Sequence, residues 1–201
     1  MVTAASTAEA ILRCAHSSII AGGYNGFSYA DIAAVVGIRK ASVHHHFPTK
    51  IDLVRTLVKQ YRDEAEAGIA QIERHVADPL DQLRNYTGYW ESCIGAPETS
   101  YCLCALLATQ IPVLPDEVVF EIRAYFRVLS AWLTSVLERG ARQGSITLTD
   151  DARSEAEVLM AAVHGAMLSA RAYGDPHAFA AIVQPVLDRL RPPPSAAGGS
   201  T

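Results

Sequence analysis

The chain has 201 residues, half of them hydrophobic, with four cysteines and a formal net charge of −4. That size allows one or two domains with a sizeable core, and the apolar half excludes a disordered chain. Apolar runs are short and broken by charge, which excludes a membrane-spanning helix, and the net acidity excludes a protein that coats nucleic acid through a broad basic surface.

A first helix is expected over residues 7–21, with Ile11, Leu12, Ala15 and Ile19 on one face. Gly22, Gly23 and Gly26 then break the chain. Ser28 is a good N-cap, and Asp31 three positions on resembles a capping box. Ile32 and Val36 share a face of the helix that follows. Gly37 can adopt a left-handed conformation, which ends the helix and turns the chain. A third helix runs from about Arg39 to His46 and stops at Pro48. Two short helices joined by a glycine turn make a helix-turn-helix, whose second member lies in the major groove of DNA.

At roughly 100° per residue the faces of the third helix can be worked out. Val43 and Phe47 form its buried stripe, and His46 lies at the edge of that stripe as a packed histidine. Ala41, Ser42, His44 and His45 face outward. Neighbouring histidines diverge on a helix, so the triplet is not a metal site, and neither metal nor cofactor is expected. Lys40 sits in the first turn, and Lys50 opens the next helix where it can meet a phosphate. The expected DNA-facing set is Ser28, Tyr29, Arg39, Lys40, Ser42, His44, His45 and Lys50. Residues 1–55 hold five basic side chains against three acidic ones, and the remainder twelve against eighteen. A mildly basic head on an acidic body suits a specific DNA reader whose second part does something else.

Further helices are expected over residues 49–76, from Pro79 to about Gly95-Ala96-Pro97, 101–110, 116–142, 150–173 and 177–190. No strand pattern appears, so the fold class is all-α. The organisation expected is a helix-turn-helix domain over 1–55, a second helical domain over 56–191, and a disordered tail over 192–201.

The stretch from Ala8 to Leu57 resembles the DNA-binding domain of the tetracycline-repressor-like (TetR) family of bacterial regulators. The resemblance rests on Gly22-Gly23-Tyr24-Asn25-Gly26-Phe27, Asp31-Ile32-Ala33-Ala34 with Val36-Gly37-Ile38, and Ala41 through Phe47 with Lys50 and Leu53. The family favours aromatics at positions 44 and 45, where this chain has histidines; His46 matches. The resemblance implies that 56–191 is an effector-binding and dimerisation domain, with a homodimer through the last two helices, about 151–173 and 177–190, a double-stranded DNA operator and a small-molecule effector. It also implies a repressor released by its effector.

Eleven of the fifteen aromatic residues follow residue 55. Tyr86, Trp90, Tyr125, Trp132 and His164 are candidates for lining an effector cavity, although each also suits a core. Cys102 matches a family cysteine that senses electrophiles or oxidants in some members, which gives an alternative reading as a thiol-based sensor. Such a role needs an accessible thiolate. A helical interaction module without specific DNA binding is the other alternative. An enzyme is not expected: no phosphate loop, nucleophile elbow or His-Glu-x-x-His pattern occurs, and Gly22-Gly23-x-x-Gly26 follows a helix rather than a strand. The N-terminus lacks the marks of a signal peptide and the cysteines lack a disulfide framework, which suits the cytoplasm.

Overall fold

The computed structural model describes residues 6–94 and 101–193. The Gly95-Ala96-Pro97 stop and residues 194–201 of the expected tail lie outside the described residues. Those described form helices and no strand: α1 (Thr7–Gly22), α2 (Tyr29–Val36), α3 (Lys40–His46), α4 (Lys50–His75), α5 (Pro79–Ile94), α6 (Leu103–Ala108), α7 (Asp116–Gln143), α8 (Ala152–Tyr173) and α9 (His177–Arg189), with a 3-10 turn at Ile111–Val113. No helix among the described residues is long and apolar enough to cross a membrane.

Local chemistry explains most of the boundaries. Ser6 and Glu9 form a reciprocal capping box at α1, and Ser28 with Asp31 does the same at α2. Thr49 and Asp52 exchange hydrogen bonds at the start of α4. The Asp151 carboxylate caps α8 by accepting from the amides of Arg153 and Ser154. Gly37 ends α2 with φ 75° and ψ 33°, its amide donating to the Ala33 carbonyl.

The chain divides into two compact units. The first comprises Met1–Gly68 and Cys93–Val128. Its core includes Ile11, Ala15, Ile19, Ile32, Val43, Leu53, Leu103 and Ile122. Arg62 donates to Glu121 at 2.6 Å, tying α4 to α7 within this unit. Gln110 reaches back to the turn after α1, where its side-chain oxygen accepts from the Tyr24 amide at 2.8 Å.

The second unit comprises Ile69–Ser92 and Leu129–Thr201. Its core includes Leu83, Leu133, Leu137, Leu159, Val163, Phe179 and Leu187. Arg139 donates to the Gln82 side chain at 2.6 Å, and Gln82 in turn donates to the Val76 carbonyl. Helices α8 and α9 pack against each other as a pair, and the Thr147 amide bonds the Leu190 carbonyl beneath them.

Candidate nucleic-acid interface

Within the first unit, α2 and α3 pack together across Gly37. Val43 is fully buried and Phe47 is 7% exposed, so α3 is anchored along one side. Tyr29 closes the corner: it is buried, and its hydroxyl donates to the Phe47 carbonyl at 2.9 Å. Burial, then the nearby Asp52, push the Tyr29 phenol up to about 12. A neutral hydroxyl committed to a backbone oxygen positions the two helices; it is not a spare donor.

The outward side of α3 is open. Arg39, Lys40, Ala41, His44 and His45 are exposed and Ser42 is half-buried. Arg39 and Lys40 make no ion pair among the described residues. His46 is a correction to the sequence reading: it is exposed rather than packed, with its ring edge-on to that of His45 at 5.6 Å. Phe47 leaves the helix in an extended conformation and fills the inner position itself, so His46 has no core to enter.

His44 is held rather than free. Its Nδ1 lies 3.2 Å from the Pro48 carbonyl, and its ring lies 4.7 Å from that of Tyr29. A carbonyl only accepts, so Nδ1 carries the proton in that bond, which makes Nε2 the acceptor of the neutral ring.

Lys50 is also more constrained than a solvated lysine. Its ammonium donates to the Phe27 carbonyl at 2.6 Å and lies over the Phe27 ring at 4.1 Å and the Tyr24 ring at 5.0 Å. Burial pulls its pKa down, partly offset by Asp31. Asp31 is itself held low, first by its bonds from Ser28. An ammonium has three protons, so one is spent on Phe27 and two remain for a phosphate.

Five expected residues come together. Ser28, Tyr29, Lys40, His44 and Lys50, with Phe27, line a surface depression of about 300 Å³. Arg39, Ser42 and His45 stand beside it along the chain on the exposed side of α3. The depression carries two ammonium groups, a hydroxyl and an imidazole over an aromatic floor, a set that suits phosphate oxygens and base edges. Phe27, Tyr24 and Gln110 were not among the expected site residues. The aromatic pair around Gly26 was a legible signal for the lysine cage; nothing in sequence pointed to Gln110.

The candidate effector residues divide between the units. Cys102 and Tyr125 belong to the first, where the Cys102 thiol lies 3.5 Å from the Tyr125 hydroxyl. Cys102 is fully buried, and desolvation pushes its thiol up, opposite to the activation a sensor needs. Tyr86, Trp90, Trp132 and His164 belong to the second unit. Burial pushes the His164 imidazole down to about 4, so it is neutral at physiological pH.

Comparisons with known proteins agree with this geometry. The family model described as bacterial regulatory proteins, tetR family, matches residues 11–57, and the tetracyclin repressor-like C-terminal domain matches residues 79–186. A crystal structure of a TetR-family transcriptional regulator from Agrobacterium tumefaciens is 62% identical, with a TM-score of 0.90 over 92% of this chain and 97% of that one. A TetR regulator from Legionella pneumophila is 25% identical, with a TM-score of 0.85 over 94% of this chain and all of that one. The HTH-type transcriptional regulator RutR of Escherichia coli is 24% identical over 142 residues, which span 66% of this chain and 62% of RutR's length.

Proposed function

This chain belongs to the tetR family of bacterial regulatory proteins, and on that premise we propose that it is a cytoplasmic, dimeric repressor that leaves its operator when a small molecule binds. In this reading residues 1–55 form the DNA-reading head and residues 56–191 receive the effector and hold the dimer. The observation that carries it is the convergence of Ser28, Tyr29, Lys40, His44 and Lys50 on one depression beside the exposed side of α3. Lys40, Lys50 and Arg39 supply the phosphate-directed charge, while Ser42, His44 and His45 supply the sequence-reading groups. Ser28 and Tyr29 act by holding the start of α2.

Dimerisation is supported by the outer surface of α8. Val158, Ala161, Gly165 and Leu168 are exposed and recur at intervals of three, four and three residues, an apolar stripe of the kind that packs against a second helix. Ala181 and Pro185 of α9 are exposed as well. A two-fold dimer presents two α3 helices to half-sites about 34–36 Å apart on one face of the duplex. Effector release requires two orientations of the heads, with the ligand favouring the one that no longer fits both half-sites.

The test is a gel-shift titration with palindromic duplexes from the DNA flanking the gene. Nanomolar binding with at least a hundredfold preference over random duplex is expected, on the scale of specific readers. His45→Ala should erode the preference. Lys40→Ala should weaken all duplexes alike and reduce the salt slope by about one. Equal affinity for random DNA would sink the proposal. A thiol sensor at Cys102 is disfavoured, because its sulfur is inaccessible and burial opposes the thiolate.

A further inference from the structure

The chain has two tryptophans, Trp90 on α5 and Trp132 on α7, and both belong to the second unit. They are 5% and 6% exposed. Neither indole N–H meets an acceptor among the described residues. Tyr86 precedes Trp90 by one helical turn, so the two share a face of α5. The Tyr86 ring meets the Trp132 ring nearly edge to face at 5.6 Å. Tyr86 and Trp132 thus meet ring to ring between α5 and α7, and Trp90 extends this aromatic seam one turn further along the same face of α5.

An indole N–H donates and cannot accept. Buried donors in folded proteins nearly always have a partner, and tryptophan is tolerated in a core where its N–H can reach one. A seam needed only for packing would be served by leucine or phenylalanine. Two unanswered donors in one seam point instead to an acceptor brought by a ligand. The three side chains also carry no formal charge, so they offer a buried anion or cation no counter-charge.

We infer that the effector is an uncharged, largely apolar molecule with hydrogen-bond acceptor oxygens or nitrogens, such as a ring bearing a ketone, ester or ether, seated against Trp90 and Trp132. This rests on the proposed effector-released repressor and specifies the chemistry of its signal. The apolar body packs on the three rings, and the acceptors take the two indole protons. A hydrocarbon of the same shape leaves both donors unanswered, and a carboxylate brings a charge that none of the three side chains answers.

Both fluorophores sit in the seam, so the intrinsic tryptophan fluorescence of the full chain reports on it alone. Three probes share one phenyl-ethyl body: 4-phenyl-2-butanone, butylbenzene and 3-phenylpropanoate. The ketone should give a saturable change in intensity or wavelength at a concentration at least ten times lower than either of the others. Trp132→Phe and Trp90→Phe each keep a ring, remove one donor and leave one reporter; each should cut the ketone's advantage severalfold. Equal binding of butylbenzene or 3-phenylpropanoate overturns the inference, and so does the absence of a saturable change with all three. A variant that does not fold is identified by circular dichroism, and the three-probe comparison on the unaltered chain still decides. The two failures separate cleanly. Selective operator binding without ketone preference defeats the ligand class alone, and ketone preference without operator selectivity defeats the repressor reading.

Discussion

Gly23 and Gln110 offer the sharpest test of how the turn before the helix-turn-helix is held. Gly23 closes α1 at φ 72° and ψ −171°, a region that residues with a Cβ essentially do not enter. A Cβ built there would collide with the Gln110 Nε2, so the glutamine must swing away. In doing so it surrenders the 2.8 Å bond that its oxygen accepts from the buried Tyr24 amide. The Gly23→Ala change thus carries a backbone cost of about 1–3 kcal/mol. It also carries roughly 1–3 kcal/mol for the abandoned amide. Together these come to about 4 kcal/mol, or a fall in Tm of roughly 8–16 °C for a chain of this size. Gln110→Ala alone forfeits only the bond. In that background Gly23→Ala adds only the backbone cost, so the cycle should show a coupling of about 1–3 kcal/mol. Urea titrations followed by far-UV circular dichroism measure it, since both tryptophans report on the other unit. Strictly additive effects, or a Gly23→Ala protein as stable as the parent, would refute the reasoning.

Lys50→Ala should lower stability by about 1–3 kcal/mol as well as weaken DNA binding, because the ammonium bonds the Phe27 carbonyl between two rings. Lys40→Ala should stay within about 0.5 kcal/mol of the parent, and equal destabilisation of the two variants would contradict the cage. For His164, folding depresses the imidazole from 6.5 to about 4, so the unfolded chain binds the proton more readily. Stability from the neutral ring should therefore decline as pH falls from about 6.5 to 4, by roughly 3 kcal/mol. His164→Gln should flatten that part of the profile, and an unchanged slope would count against it. N-ethylmaleimide should label the part-exposed Cys14 and Cys93 in the native protein, and the buried Cys102 and Cys104 only after urea. Peptide mass analysis showing Cys102 labelled as fast as Cys93 would overturn the burial argument.

The readable parts of this chain are those where cause and effect lie within one turn of helix. Ser28 and Asp31 are three residues apart and cap each other; Gly37 answers a demand made by Ala33 four residues earlier. The exposed side of α3 also follows from angle alone, because Val43 and Phe47 fix which way it turns. Helix periodicity failed at His46, the last residue of α3, where Phe47 of the extended C-cap supplied the inner contact.

The unreadable parts depend on residues far apart in the chain. Lys50 was expected to be a simple phosphate contact, yet its position is set by Phe27, twenty-three residues earlier. Gln110 reaches Tyr24 across eighty-six residues, and no local pattern encodes that reach. The turn at Gly23–Tyr24, from which the Lys50 cage is built, is also held from the segment just after α6. The surroundings of the ammonium at the depression thus include a turn that is held by a contact from outside the helix-turn-helix. Withdrawing Gln110 would remove the side-chain acceptor of the Tyr24 amide, and the Tyr24 ring is one of the two that the Lys50 ammonium lies over.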